Sequence, residues 1–291
     1  MIAGAPKAGT SSLKHYMGEH PQVCMHAQRE FPFFASDEMY AAGYDNYFQE
    51  YFSPCSVGEH LLAAKSAPIS CLPQAIDRLY QHNPKMKVIL LLRNPIDRAY
   101  SSYRFLRQRG IEPLTTFEKA IAEEPRRLSE VNGNAKLTVR WGYVNPGFYV
   151  EPVRQLHSLF GTDRVQVYQF EKLQQDPIPI CVHLFKWLGV DHTFTPNVKE
   201  RFNVTKEVRN EHLARGLARF SDTNSPIKHL LLKILPAGFV TEMKYRARKI
   251  NSRPAKKNDM IPQTRQMLVE KFRRKNKELA DIVDIDLTLW E

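Results

Sequence analysis

The chain has 291 residues, 43% of them hydrophobic and 25% charged, values that exclude a disordered or fibrous protein and allow one large buried core. Its 42 Lys and Arg outnumber 31 Asp and Glu, for a formal charge of +11 that favours anionic partners: a nucleotide, an acidic glycan, a nucleic acid or a membrane surface. Four scattered cysteines, Cys24, Cys55, Cys71 and Cys181, are too few for a disulfide framework or a zinc site and are read as buried thiols.

The first predicted strand covers residues 1–5 and runs into a loop bounded by Gly4 and Gly9, which opens a helix over 10–18 carrying Leu13, Tyr16 and Met17. A strand entering a helix through such a loop aims successive N–H groups and the positive end of the helix dipole at one point, where an anion is favoured. The two glycines have Walker A spacing, but in a Walker loop the lysine follows the second glycine and a neighbouring hydroxyl holds Mg²⁺. Here Lys7 lies inside the loop and Thr10, Ser11 and Ser12 follow Gly9. That is a phosphate cradle with no metal site built into it.

A strand over 22–25 leads to Glu30, whose apolar C-terminal flank means a carboxylate that is either paired with a cation such as Arg29 or placed to move a proton. The aromatic residues between Phe31 and Phe52 are read as packing and as a cleft wall. His60, just before the apolar run of the third strand (61–65), reads as a surface or packing histidine. A helix over 73–82 precedes Lys87-Val-Ile-Leu-Leu-Leu-Arg93, a continuous apolar run that predicts a buried parallel strand over 87–92. A metal-dependent P-loop enzyme places a carboxylate at the end of such a strand. This chain has Arg93 there. Asn94-Pro95 opens a helix over 95–108, and Ser101 on it joins Arg93 as a second anion site at the carboxyl ends of the strands.

Further helices are predicted over 116–123, 149–159, 177–188, 208–220 and 262–279, with a strand over 164–169. Residues 124–146 and 221–261 read as irregular, the latter containing a basic run from Lys244 to Lys257; such segments are candidates for acceptor recognition. The alternation of strand and helix predicts one α/β domain over 1–291, a P-loop-like parallel sheet with helices on both faces. No apolar stretch is long enough to cross a membrane and no leader opens the chain, so, taken as full length, it is expected to be soluble and cytoplasmic.

Two separate anion sites without a metal carboxylate suit a nucleotide with phosphates at two positions better than ATP. Pro6-Lys7-Ala8-Gly9-Thr10-Ser11-Ser12-Leu13 resembles the 5′-phosphosulfate loop of sulfotransferases that use 3′-phosphoadenosine 5′-phosphosulfate, and the segment from Arg93 to Ser101 resembles their 3′-phosphate motif. His20-Pro21, Lys65-Ser66-Ala67-Pro68, Gly147-Phe148-Tyr149, Phe170-Glu171-Lys172-Leu173 and Leu188-Gly189 follow in family-like order, so the resemblance spans nearly the whole chain. It is nearest to the heparan-type and related bacterial enzymes. Arg29 stands where lysine is commoner before the glutamate, and Phe105 where many bacterial members carry histidine.

The resemblance implies Glu30 as the catalytic base, with Lys7 and Lys65 at the reacting centre. It implies that Lys7, Ala8, Gly9, Thr10, Ser11 and Ser12 bind the 5′-phosphate, and that Arg93 and Ser101 bind the 3′-phosphate. Phe202, Lys206 and Arg209 resemble the late loop that closes over the nucleotide. The donor would be 3′-phosphoadenosine 5′-phosphosulfate, the product adenosine 3′,5′-bisphosphate, with no metal and no nucleic-acid partner. The acceptor would be a hydroxyl or amine, on a carbohydrate by preference, though a lipid, polyketide or other small molecule would leave the same motifs. A metal-dependent P-loop kinase and a non-catalytic polyanion-binding module stand as alternatives, distinguished by a magnesium requirement and by steep salt dependence.

Overall fold

The computed structural model describes residues 1–53, 55, 61–131, 134–198, 206–208, 210, 213, 216, 246–247, 250–254, 260–283 and 285–290. Five parallel strands form where expected: β1 (Ile2–Gly4), β2 (Val23–Met25), β3 (Leu61–Ala63), β4 (Val88–Leu92) and β5 (Val165–Gln169). β1 pairs with β4 through Ile2↔Ile89, β4 with β5 from Val88↔Val165 to Leu92↔Gln169, and β2 with β3 from Val23↔Leu61 to Met25↔Ala63. The two groups join at Ile2, whose N–H donates to the Ala64 carbonyl at 2.8 Å and whose carbonyl accepts from Ser66 N–H at 2.9 Å. The order across the sheet is therefore β2-β3-β1-β4-β5. The chain moves to one side of β1 for β2 and β3, then crosses to the other side for β4 and β5. Such a reversal leaves a crevice at the carboxyl ends of the strands beside β1, where open α/β sheets bind ligands.

All five residues of β4 are buried. With a partner strand on each edge and helices covering the sheet, its unbroken apolar sequence is what that position requires. The flanking helices are α1 (Thr10–Gly18), α2 (Asp37–Ala42), α3 (Asp45–Phe52), α4 (Pro73–His82), α5 (Pro95–Gln108), α6 (Phe117–Glu130), α7 (Ala135–Trp141), α8 (Val150–Phe160), α9 (Phe170–Gln175), α10 (Pro177–Leu188) and α11 (Pro262–Ala280). Proline stands in the first turn of α4, α5, α10 and α11, where its missing N–H costs nothing. The main core lies under the sheet and takes in Leu279, Val283 and Trp290 from the end of the chain. A second cluster between α5, α6 and α11 gathers Ile96, Tyr103, Phe117, Leu268 and Phe272.

Several segments depart from the sequence reading. Residues 124–131 and 134–146 are ordered instead of irregular: α6 runs on to Glu130, and α7 follows from Ala135. Buried carboxylates explain this. Glu124 accepts the N–H groups of Val144 at 2.7 Å and Asn145 at 2.8 Å, while fully buried Glu112 takes Arg127 at 2.5 and 3.0 Å and the Tyr143 hydroxyl at 2.5 Å. These contacts bring together residues up to 31 apart, which local periodicity does not report. In the other predicted irregular region, β7 (Ser252–Pro254) pairs antiparallel with β6 (Lys206–Val208). Of the helix expected over 208–220, Val208 ends strand β6 and Leu213 and Gly216 are helical, while most of its residues, His60 and most of the cations of the basic run lie outside the described residues. Cys24 and Cys55 are not buried thiols but a disulfide, with Cα atoms 5.7 Å apart; Cys71 and Cys181 are free.

Candidate functional site

The loop between β1 and α1 is held in a conformation that few residues adopt. Lys7 has φ of 70° and Gly9 of 83°. A Cβ on Gly9 would lie 2.7 Å from the Phe170 ring, so both the backbone angle and the close approach demand glycine. Within the first turn, Ser12 N–H already donates to the Gly9 carbonyl at 3.0 Å. The expected anion cradle is thereby narrowed: the N–H groups of Gly9, Thr10 and Ser11 begin the helix, and that of Ser12 is spent inside it.

The ammonium of Lys7 rests on the Phe105 ring, 4.2 Å from its centre. Burial is the largest influence on it, and its four strongest charged neighbours are all arginines: Arg29, Arg93, Arg98 and Arg109. Together they lower its pKa to about 8. A lysine drawn into a field of like charge is stabilised when an anion arrives.

Arg93 leaves the carboxyl end of buried β4 and turns back to the loop. Its guanidinium donates to the Lys7 carbonyl at 3.1 Å and lies 4.8 Å from the Phe170 ring centre. The Tyr149 hydroxyl donates to the Arg93 carbonyl at 2.9 Å. Asp97, the acidic neighbour that could have claimed Arg93, is instead ion-paired with Arg265. Among the described residues no carboxylate forms an ion pair with Arg93. Ser101 is buried on α5, two turns beyond. One aromatic ring, Phe170, thus touches both Gly9 and Arg93, and the two predicted anion elements form one continuous surface.

Glu30 is paired, with Lys65 and not with Arg29. Lys65 Nζ lies 2.5 Å from Glu30 Oε1, and the Ala67 N–H donates to Oε2 at 3.1 Å. Lys65 is 1% exposed against 36% for Glu30, so the pair has an inner cation and an outer carboxylate that meets solvent. Lys65 Nζ also lies 3.4 Å from Ser11 Oγ and 3.3 Å from the Arg29 carbonyl. Burial lowers the Lys65 pKa, which Glu30 partly offsets. The lysine therefore links the carboxylate to the phosphate loop. The aromatic segment after it is packing, as read: Phe31, Phe33, Phe34 and Phe52 are buried against one another.

The structure brings Lys7, Ala8, Gly9, Thr10, Ser11, Ser12, Lys65, Glu30 and Arg93 to the crevice beside β1. The backbone of Lys206 lies on β6, which packs along α5; Phe202 and Arg209 lie outside the described residues. Among the described residues no three His, Cys, Asp or Glu side chains gather as metal ligands. Phe105, Phe170 and Tyr149 were not singled out from the sequence as site residues. Phe105 could have been, since it lies four residues after Ser101 and hence on the same face of α5. Phe170 also carries a signal, as the first residue past the carboxyl end of β5.

The sulfotransferase domain family model matches residues 1–241. Over 193 residues the chain is 27% identical to heparan sulfate glucosamine 3-O-sulfotransferase 5 of Mus musculus, covering 65% of this chain and 53% of that protein. It is 32% identical over 130 residues to the membrane-associated sulfotransferase kil1 of Dictyostelium discoideum, covering 43% of this chain and 27% of that protein. A third relative, the bifunctional heparan sulfate N-deacetylase/N-sulfotransferase 3 of Homo sapiens, is 27% identical over 197 residues, or 65% of this chain and 22% of its own length. The chain thus spans about half or less of these relatives. The crystal structure of a sulfotransferase from Alicyclobacillus acidocaldarius has the same fold, with a TM-score of 0.71 at 23% identity over 99% of this chain and 96% of that one.

Proposed function

The chain belongs to the sulfotransferase domain family, and from that premise we propose that it transfers a sulfuryl group from 3′-phosphoadenosine 5′-phosphosulfate to a hydroxyl or amine of a carbohydrate. One observation carries the donor assignment: Arg93 and the Lys7 loop are locked together through the Lys7 carbonyl and the Phe170 ring, so that two cationic elements face one crevice. A nucleotide with phosphates at both ends fills such a pair. The N–H groups of Gly9, Thr10 and Ser11 with the Thr10 and Ser11 hydroxyls would hold the 5′-phosphate, and Arg93 with Ser101 the 3′-phosphate. The heparan sulfate relatives support a carbohydrate acceptor. The domain extends in this reading to residue 291, because Leu279, Val283 and Trp290 belong to the same core.

In the proposed reaction the acceptor oxygen or nitrogen attacks sulfur in line, the bond from sulfur to the bridging oxygen breaks, and adenosine 3′,5′-bisphosphate departs with that electron pair. The acceptor's proton goes to Glu30. Although Lys65 and the Ala67 N–H each hold one of its oxygens, a carboxylate has about four lone-pair sites, which leaves room for the proton. Protonation of Glu30 would loosen its hold on Lys65, whose ammonium also reaches Ser11 on the leaving-group side. Lys7 would stabilise the charge that grows on the bridging oxygen.

The test is Glu30→Gln. The amide can still accept from Lys65 but cannot take up a proton, so nucleotide binding by calorimetry should stay near parental while transfer of labelled sulfate drops roughly 10²–10⁴-fold. Turnover within a few-fold of the parent would remove the base assignment. Loss of bisphosphate binding as well would make Glu30 a brace for Lys65.

A further inference from the structure

We propose that Trp290 is a positioning residue for the 3′-phosphate arginine, an inference that rests on the donor reading above. The residue after Arg93 is Asn94, and each of its polar groups is engaged. Its side-chain oxygen accepts from Ile96 N–H at 3.0 Å, capping α5; its backbone N–H donates to Glu171 Oε1 at 2.9 Å; its Nδ2 donates to the Trp290 carbonyl at 2.9 Å. Trp290 supplies the last of these contacts and secures the second. Its indole N–H donates to the other Glu171 oxygen, Oε2, at 3.1 Å. Its ring lies 5.9 Å from that of Tyr149, whose hydroxyl holds the Arg93 carbonyl.

The two side chains that hold the peptide between Arg93 and Asn94, Tyr149 on its carbonyl and Glu171 on its N–H, are both residues that Trp290 contacts. The participants come from four places in the chain: the β4–α5 junction, the start of α8, α9 and the 3₁₀ turn Leu287–Trp290. That turn is anchored as well, since the Gln169 side chain at the end of β5 donates to the Asp286 carbonyl. Trp290 is 4% exposed, and its main-chain carbonyl and its indole N–H both close on the loop that carries Asn94, the second through Glu171. It lies beyond residues 1–241, the part matched by the family model. The consequence is directional. A guanidinium grips a phosphate through two parallel hydrogen bonds, which demands a fixed backbone beneath it. Releasing Asn94 and Glu171 would loosen Arg93 and leave the Lys7 loop in place.

The experiment compares binding of adenosine 3′,5′-bisphosphate and AMP to the full chain and to Trp290→Phe and Trp290→Ala, with melting temperature recorded for each. Trp290→Phe keeps a ring in the core and deletes the indole N–H. Relative to the parent, both variants should bind the bisphosphate about tenfold more weakly, the scale of one lost charge-assisted hydrogen bond. AMP affinity should change less than about twofold. A bisphosphate-to-AMP affinity ratio that stays parental in both variants overturns the proposal. Equal weakening of both nucleotides overturns it too, because it marks Trp290 as a general brace of the fold. A parent that does not distinguish the two nucleotides overturns the donor reading itself, a different result from either.

Discussion

Lys7 is the residue on which acid–base behaviour and function meet. With a pKa lowered to about 8 by burial and by four arginines, it loses its proton within the range of ordinary assays. Anion binding raises that pKa, so the complex binds more protons than the free protein above pH 8. Affinity for adenosine 3′,5′-bisphosphate is accordingly full below about pH 7 and falls as pH rises through 8, approaching roughly tenfold per unit. Calorimetry from pH 7 to 9.5 measures this, and in Lys7→Ala the decline should flatten. Because the charge that Lys7 meets is greatest in the transition state, the same variant should lose more in kcat than in product affinity. A rise in KM for the donor with kcat unchanged would reduce Lys7 to a phosphate-binding cation.

At the scale of elements, the segment from β2 to the end of α3 stands out because the Cys24–Cys55 disulfide closes it into a loop with 31 residues of separation. Glu30 lies within this loop, between the strand that carries Cys24 and the aromatic cluster that packs α2 and α3. Closing a loop of that length in the unfolded chain is worth roughly 3–4 kcal/mol. The Cys24→Ser, Cys55→Ser double variant should unfold at lower denaturant concentration, with an unfolding free energy smaller by an amount of that order, and reduction of the parent should reproduce the shift. Equal stability of oxidised and reduced parent, with the cysteines mapped by alkylation, would show that the bond contributes nothing. Disulfides persist in oxidising compartments and are rare in a reducing cytosol. Preparations from the two environments should differ in the same way.

For the whole molecule, the organising feature is the reversal of strand order at β1, which puts the phosphate loop and the end of β4 on the two sides of one crevice. A ligand that binds only the folded chain stabilises all of it. At about 100 times its Kd, adenosine 3′,5′-bisphosphate should raise the melting temperature by roughly 5 °C without magnesium, with much smaller shifts for AMP and ATP at the same concentration. Equal shifts for AMP and the bisphosphate, or a strict need for metal, would count against two joined anion sites and in favour of kinase-like chemistry.

Much of this architecture is written locally. Four of the five parallel strands are short apolar runs and β5 alternates as Val-Gln-Val-Tyr-Gln, while α1, α4, α5, α10 and α11 begin at glycine or proline signals, so local pattern located them. The loop with Lys7 and the β4–α5 junction at Arg93 were legible for the same reason: each is a contiguous stretch where glycine or proline stands between a strand and a helix. What the sequence left open is what depends on distant partners. Glu30 read as paired with a cation such as Arg29 or placed to move a proton, and only folding supplied Lys65 as its partner, because β3 delivers that lysine from 35 residues away. Cys24 and Cys55 read as thiols until α2 and α3 brought their Cα atoms to 5.7 Å. Residues 124–131 and 134–146 looked irregular because their order comes from buried Glu112 and Glu124 satisfying groups far along the chain. Trp290 carries no local signal at all, since its role exists only where four separate segments close around Asn94. Periodicity and capping act over a few residues, whereas ion-pair choice, disulfide pairing and buried hydrogen bonds are decided by proximity in space.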